Sequence, residues 1–129
     1  MVKIDPDRLL TDLKQLRSFG AQGPGVVRLT LSPVDLASRR WLVGRMAEAG
    51  LDAAIDGVGT VFGRSRKSGP ALVIGSHTDT QPTGGWLDGA MGVIYGLEIA
   101  RALAENDATS TARCFVSSCS ASARAISSP

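Results

Sequence analysis

The stretch "KSGPALVIGSHTDTQPTGGWLDGAMGVIYGLEIARALAEN", residues 67 to 106, restricts the fold more than any other part of the chain. Its run "ALVIG" is apolar without alternation, the pattern of a strand covered on both faces inside a sheet. A loop rich in threonine and glycine follows, and from Asp88 onward the only polar stripe is Glu98, Arg101 and Glu105. That segment is expected to be a helix largely buried against the sheet, with Gly92 and Gly96 permitting close approach. A buried strand feeding a buried helix predicts an α/β layered domain. Ligands in such sheets collect beyond the carboxyl ends of the strands, which is where His77 falls.

The upstream half supplies the remaining layers. In "IDPDRLLTDLKQLRSFG" Asp5 can cap, Pro6 suits the first helical position, and Leu9, Leu10, Leu13 and Leu16 recur at helical spacing up to Gly20. "AQGPGVVRLT" reads as a loop, and its glycines follow no strand, so a phosphate-cradling role is not expected. "SPVDLASRRWLVGRMAEAG" starts a second helix with Ser32 as cap, Pro33 first, Asp35 three residues after the cap and Gly50 as stop. Trp41, Leu42 and Met46 are its expected core residues. From Leu51 the period changes to alternation, with glycines at 57 and 59 and a second short strand from Thr60, which predicts a hairpin.

Length and charge exclude several classes. At 129 residues the chain has room for one compact domain, burying about two thirds of its unfolded surface. Fourteen basic against twelve acidic residues give a formal +2, scattered without a basic block, so nucleic acid is not an expected partner. No apolar run approaches the roughly 18 to 20 residues of a membrane span, and "MVKIDPDRLL" is too polar and acidic for a signal peptide. A cytoplasmic, membrane-free setting is the expectation. Cys114 and Cys119 form no secreted disulfide framework; as a pair they offer a weak metal-binding signal.

His77 is the one histidine, with Asp79 two positions on and Asp88 eleven positions on. Imidazole nitrogen and carboxylate oxygen are good zinc donors. In an extended segment His77 and Asp79 point the same way, so Asp79 either ligates or accepts the proton of the far ring nitrogen and fixes the tautomer. A Gly-Gly turn can fold Asp88 back toward His77, where a carboxylate can bridge two ions about 3.5 to 4 Å apart. The plainer alternatives are a satisfied imidazole at a strand end and, for Asp88, a helix cap. Ser76, Thr78 and Thr80 lack the G-x-S-x-G elbow and second histidine of a nucleophile site.

"GSHTDTQPTGGWLDGAMGVIYGLEIARAL" resembles the signature of the hydantoinase/carbamoylase family of metal-dependent amidohydrolases, which includes N-carbamoyl-L-amino acid hydrolases and allantoate amidohydrolases and is related in fold to dizinc aminoacylases and aminopeptidases. The resemblance extends upstream through "GVVRLTLSPVDLASRRWLVGRMAEAGLDAAIDGVGTVFGR" and covers most of residues 5 to 106. It implies an incomplete α/β metallohydrolase catalytic domain, with helices packed on a mixed sheet. It also implies His77 as a metal ligand, Asp79 as the residue orienting His77, and Asp88 as the bridge between two divalent ions, zinc or manganese. In the family these ions activate a water against a ureido or amide carbonyl of a small molecule, and full-length members are homodimers. Thr60 stands where an asparagine is usual, in the hairpin turn and away from any ligand.

The larger departure lies toward the C-terminus. The family continues through a strand into a Glu-Glu pair, general base and metal ligand, then to further histidine ligands and a dimerisation domain that supplies groups for the substrate carboxylate. None of these residues is in this sequence: no acidic residue follows Asp107, and His77 has no second histidine. Residues 1–106 therefore read as part of the catalytic domain. Residues 107–129, with seven serines and five alanines in the last 22 positions, read as a low-complexity tail in which only "RCFVSS" suggests a strand, and an altered reading frame is the expected origin. The expected activity by resemblance is hydrolysis of linear, non-peptide C–N bonds; the alternatives are a related dizinc peptidase or deacylase, and an inactive piece that binds metal weakly. Substrate-binding residues are not identifiable, with Arg28 the one arginine placed in a loop where a substrate carboxylate could meet it.

Overall fold

The computed structural model describes residues 2–106 and 113–119. Helix α1 spans Pro6–Ser18, the short hairpin strands β1 and β2 span Ala21–Gln22 and Gly25–Val26, and α2 spans Pro33–Glu48. Then come β3 (Asp52–Ile55), β4 (Val61–Arg64), β5 (Ala71–Ser76), α3 (Ala90–Glu105) and β6 (Arg113–Ser118). The main sheet has the order β3-β4-β6-β5, antiparallel except for the parallel pair β5 and β6. Three helices pack on this mixed four-stranded sheet. Among the described residues no helix is long and apolar enough to cross a membrane.

Local signals account for the first two helices. The Asp5 carboxylate accepts from the backbone N–H of Asp7 and Arg8, and the Ser32 hydroxyl accepts from that of Asp35, each satisfying donors that a helix start leaves open. Leu13, Leu16, Leu42 and Met46 are buried, as the spacing predicts, and Trp41 packs against them half-buried. Leu10 departs from the expectation and is 47% exposed. The hairpin forms from β3 and β4, its turn tied by the Asp56 carboxylate, which accepts from the N–H groups of Val58 and Thr60. The loop expected at "AQGPGVVRLT" contains the two-residue hairpin β1–β2.

The run "ALVIG" differs from its expected role. β5 is the edge of the sheet among the described residues, and Leu72 and Val73 are 52% and 65% exposed. Its inner face meets α3, where a side-chain carbon at Gly96 would lie 2.9 Å from Ile74 and one at Gly92 would lie 2.8 Å from Ser76. The close approach expected of these glycines is present. The missing alternation reports apolar chemistry on both faces, yet Val73 on the outer face is exposed, and so is Leu72, which shares the inner face with Ile74. The strand suggested by "RCFVSS" forms and lies between β4 and β5, so the change of composition after residue 106 is not the edge of the sheet. The expectation for residues 107–112 and 120–129 lies outside the described residues.

Two residues of the polar stripe of α3, Glu98 and Arg101, face α1 and are buried, while Glu105 meets Arg8 at the surface. Glu98 is buried and pairs with Arg8 at 2.8 Å, and Arg101 pairs with Asp12 at 2.6 Å, while Asp12 also meets Arg45 at 3.0 Å. Burial alone would raise the Glu98 carboxyl, but Arg8, the Asp5 N–H and Arg101 hold it below the usual carboxylate range. Buried charges persist only when paired in this way.

Candidate metal centre

β5 delivers the chain to His77 at its carboxyl end, and the loop of residues 77–89 returns it to α3. The loop is strapped from two sides. Val26 and Gly84 exchange backbone hydrogen bonds at 3.0 and 3.1 Å, the Thr80 N–H donates to the Arg28 carbonyl at 2.8 Å, and the Arg28 N–H donates to the Thr80 hydroxyl at 2.9 Å. On the other side the hydroxyls of Thr78 and Ser118 lie 3.0 Å apart, and the Cys119 N–H donates to the Ser76 carbonyl at 2.9 Å.

The structure brings His77, Asp79 and Asp88 together. His77 Nδ1 lies 2.9 Å from the Asp79 backbone carbonyl and 3.4 Å from Asp79 Oδ1. Both neighbours are acceptors, so Nδ1 carries the proton of the neutral ring and Nε2 presents its lone pair. Nε2 faces Asp88 Oδ2 at 3.7 Å. Asp79 is buried and accepts from the Thr30 hydroxyl through its second oxygen, Oδ2, whereas the Asp88 side chain is 83% exposed. One carboxylate thus stands behind the ring, and the other stands beside the free nitrogen at the surface.

The donor chemistry of this pair fits a divalent cation. Two ligands each about 2.0 to 2.2 Å from zinc lie up to about 4 Å apart across it, and the 3.7 Å between His77 Nε2 and Asp88 Oδ2 falls within that span. The fit is in kind and not in number. Zinc takes about four ligands, and among the described residues no three His, Cys, Asp or Glu side chains are placed to hold an ion. The metal pair suggested for Cys114 and Cys119 rests on the Cys114 side chain, which lies outside the described residues; Cys119 is a free thiol directed at the Ser76 carbonyl, 3.5 Å away.

Two expectations for this region are corrected. Asp88 does not cap α3: the N-cap is Gly89, at φ 71, with no side-chain cap bond, and Asp88 lies in the preceding turn. The positive φ suits only glycine here, and a side-chain carbon at Gly89 would also stand 2.4 Å from the His77 carbonyl oxygen. Nor is Arg28 available to a substrate carboxylate, because it is fully buried. Its Nε donates to the Thr78 carbonyl at 2.7 Å, and one terminal nitrogen donates to the carbonyls of Leu16 and Phe19 at 2.8 and 2.7 Å. Burial pushes its guanidinium below the ordinary value, against the pull of Asp35 and Asp79. Sequence reading missed Thr30, which lies 49 positions before its partner Asp79 and carries no motif.

Residues 58–117 match the model of Peptidase family M28. The chain is 38% identical over 107 residues to an N-carbamoyl-L-amino-acid amidohydrolase of Paenarthrobacter aurescens, a match covering 81% of this chain and 26% of that protein. It is likewise 38% identical to a ureidoglycolate hydrolase of Oryza sativa subsp. japonica, over 78% of this chain and 22% of the relative. The chain therefore spans about a quarter of the length of these relatives. Its fold superposes on the crystal structure of an amidase from Burkholderia phymatum, described as of the hydantoinase/carbamoylase family, with a TM-score of 0.90 and 77% identity across 92% of this chain and 29% of that one. Agreement in sequence and in fold over the strand, loop and helix that carry His77 and Asp88 shows that this chain belongs to the hydantoinase/carbamoylase amidase family, as part of its M28-like catalytic domain.

Proposed function

We propose that this chain carries one portion of the metal centre of an amidohydrolase acting on linear C–N bonds of small ureido or amide compounds, of the N-carbamoyl amino acid or allantoate type. The observation that carries the reading is the His77 ring, proton side against Asp79 and lone-pair side against Asp88. In this reading His77 Nε2 and the Asp88 carboxylate hold metal, and Asp79 keeps the proton on Nδ1. When bound, a pair of zinc or manganese ions supplies Lewis acidity toward a carbonyl that urea-like resonance makes a poor electrophile. The chain's own residues contribute orientation: Thr80, Gly84 and Thr78 fix the loop, and Gly89 brings the start of α3 against the ring. General-base catalysis, worth about 10² to 10⁴-fold, needs a further carboxylate from elsewhere.

The test is ammonia release from a panel of N-carbamoyl amino acids and allantoate by the purified chain with manganese. The expected result is no chelator-sensitive turnover by the chain alone, because the described residues offer two donors and no general base, which leaves the dimetal clamp incomplete. Turnover that a chelator removes and His77→Ala abolishes would show a complete site. The match to a peptidase family favours one other reading, in which the bond cleaved is a peptide or acyl-amide bond. Release of a chromophoric amine from aminoacyl substrates, in place of ammonia, would identify it.

A further inference from the structure

We infer that Thr30 is a positioning residue for the His77 metal ligand, acting through Asp79. The inference rests on the reading of His77 as a ligand. The carboxylate of Asp79 is buried and divides its two oxygens: Oδ1 lies 3.4 Å from His77 Nδ1, and Oδ2 accepts from the Thr30 hydroxyl. An ionised carboxylate only accepts, so Thr30 is the donor, and its hydroxyl fixes which way the carboxyl plane turns toward the ring.

Thr30 is itself held in place from both sides. On one side Arg28 clasps the carbonyl of Thr78 and, through its backbone, Thr80, the two residues flanking Asp79. On the other side Leu31 adopts φ 58, a conformation uncommon for a branched apolar residue. Its N–H donates to Asp35 Oδ2 at 2.8 Å, and the same oxygen accepts from Arg39 Nε at 2.8 Å, with both charged side chains fully buried. A buried ion pair on α2 thereby sets a left-handed turn, the turn aims a hydroxyl, the hydroxyl orients a carboxylate, and the carboxylate, 3.4 Å from Nδ1, acts on the imidazole together with the Asp79 backbone carbonyl at 2.9 Å. Partners standing behind a metal ligand typically change metal affinity by about 10 to 100-fold when removed.

The experiment compares wild type, Thr30→Val, Thr30→Ser, Asp79→Asn and the Thr30→Val/Asp79→Asn double variant, with His77→Ala as reference. Zinc affinity is read by competition with a chromophoric chelator. The tautomer of the metal-free ring is read from the ¹⁵N shifts of His77, the chain's one histidine, at a pH where the ring is neutral. Thr30→Val is expected to weaken zinc binding about tenfold and to lower the Nδ1–H population, while Thr30→Ser stays within about twofold of wild type. Because Thr30 acts through Asp79, adding Thr30→Val to Asp79→Asn should cost nothing more. Ring shifts unchanged in Thr30→Val, or a full additional loss in the double variant, overturn the inference. If His77→Ala leaves zinc binding unchanged, the ligand reading itself fails, and the metal-free tautomer still decides the role of Thr30. Should Thr30→Val not fold, Thr30→Ala, which also removes the hydroxyl, carries the comparison: a lowered Nδ1–H population in Thr30→Ala that Thr30→Ser does not show supports the inference, and ring shifts unchanged in Thr30→Ala overturn it.

Discussion

His77 Nε2 and Asp88 Oδ2 face one another across 3.7 Å, from opposite ends of the loop that joins β5 to α3. The loop of residues 77–89 is strapped through Thr78, Thr80 and Gly84, which belong to neither residue of the pair.

Zinc binding is therefore expected to be measurable but weak. His77→Ala should remove it, and Asp88→Asn should weaken it at least about tenfold, since the neutral amide loses both charge and donor strength. Equilibrium dialysis with and without a strong chelator checks this. Stoichiometric zinc that survives the chelator would mean that further ligands hold the ion.

Gly89→Ala should displace the imidazole. Its new carbon would meet the His77 carbonyl oxygen at 2.4 Å and ring atoms at 2.6 and 2.7 Å, at φ 71. Gly23 supplies the control, with φ 54 and no atom within 4 Å of the carbon an alanine would add. Gly23→Ala should show only the left-handed backbone cost of about 1 to 2 kcal/mol, while Gly89→Ala should lose that and most zinc affinity as well. Equal zinc affinity in the two variants would contradict the close contact.

Arg28→Ala should destabilise the fold by at least about 3 kcal/mol in urea denaturation, because it leaves the carbonyls of Thr78, Leu16 and Phe19 without that donor in a buried site. Arg28→Lys should recover little, since one ammonium cannot span carbonyls on separate segments. A residue reserved for binding a substrate carboxylate would show the opposite profile, with stability unchanged.

Acid should loosen the contact between α1 and α3. The Glu98 carboxyl is held below its ordinary value, so its contribution is fully present above the unfolded carboxylate range and is lost as pH falls through the depressed folded value. Unfolding free energy should decline as pH drops below about 4.5, and Glu98→Gln should cost about 2 to 3 kcal/mol at neutral pH and flatten that decline. Urea melts of both proteins between pH 7 and pH 3 measure the difference; parallel curves would assign the acid sensitivity to other groups.

Elements whose signals lie close together in the chain were legible without coordinates. Asp5 and Pro6, and Ser32 and Pro33, start α1 and α2 because a cap and a fixed φ act within one turn, and the alternation from Leu51 made a hairpin because its partner strand is adjacent. The spacing of His77, Asp79 and Asp88 named residues that the fold does bring together, since a two-residue step in an extended segment and a glycine turn are both short-range. Tertiary structure alone decided the rest. β6 enters between β4 and β5, which leaves β5 at the edge with Val73 exposed, because strand order is settled by pairings far apart in the chain and not by the hydropathy of one strand. Glu98 and Arg101 turned inward because α1 offered Arg8 and Asp12 as partners about 90 positions away. Arg28 and Thr30 carry no motif, and their roles arise only where the fold lays their segment against the Asp79 loop, so that a guanidinium meets three carbonyls and a hydroxyl meets a buried carboxylate.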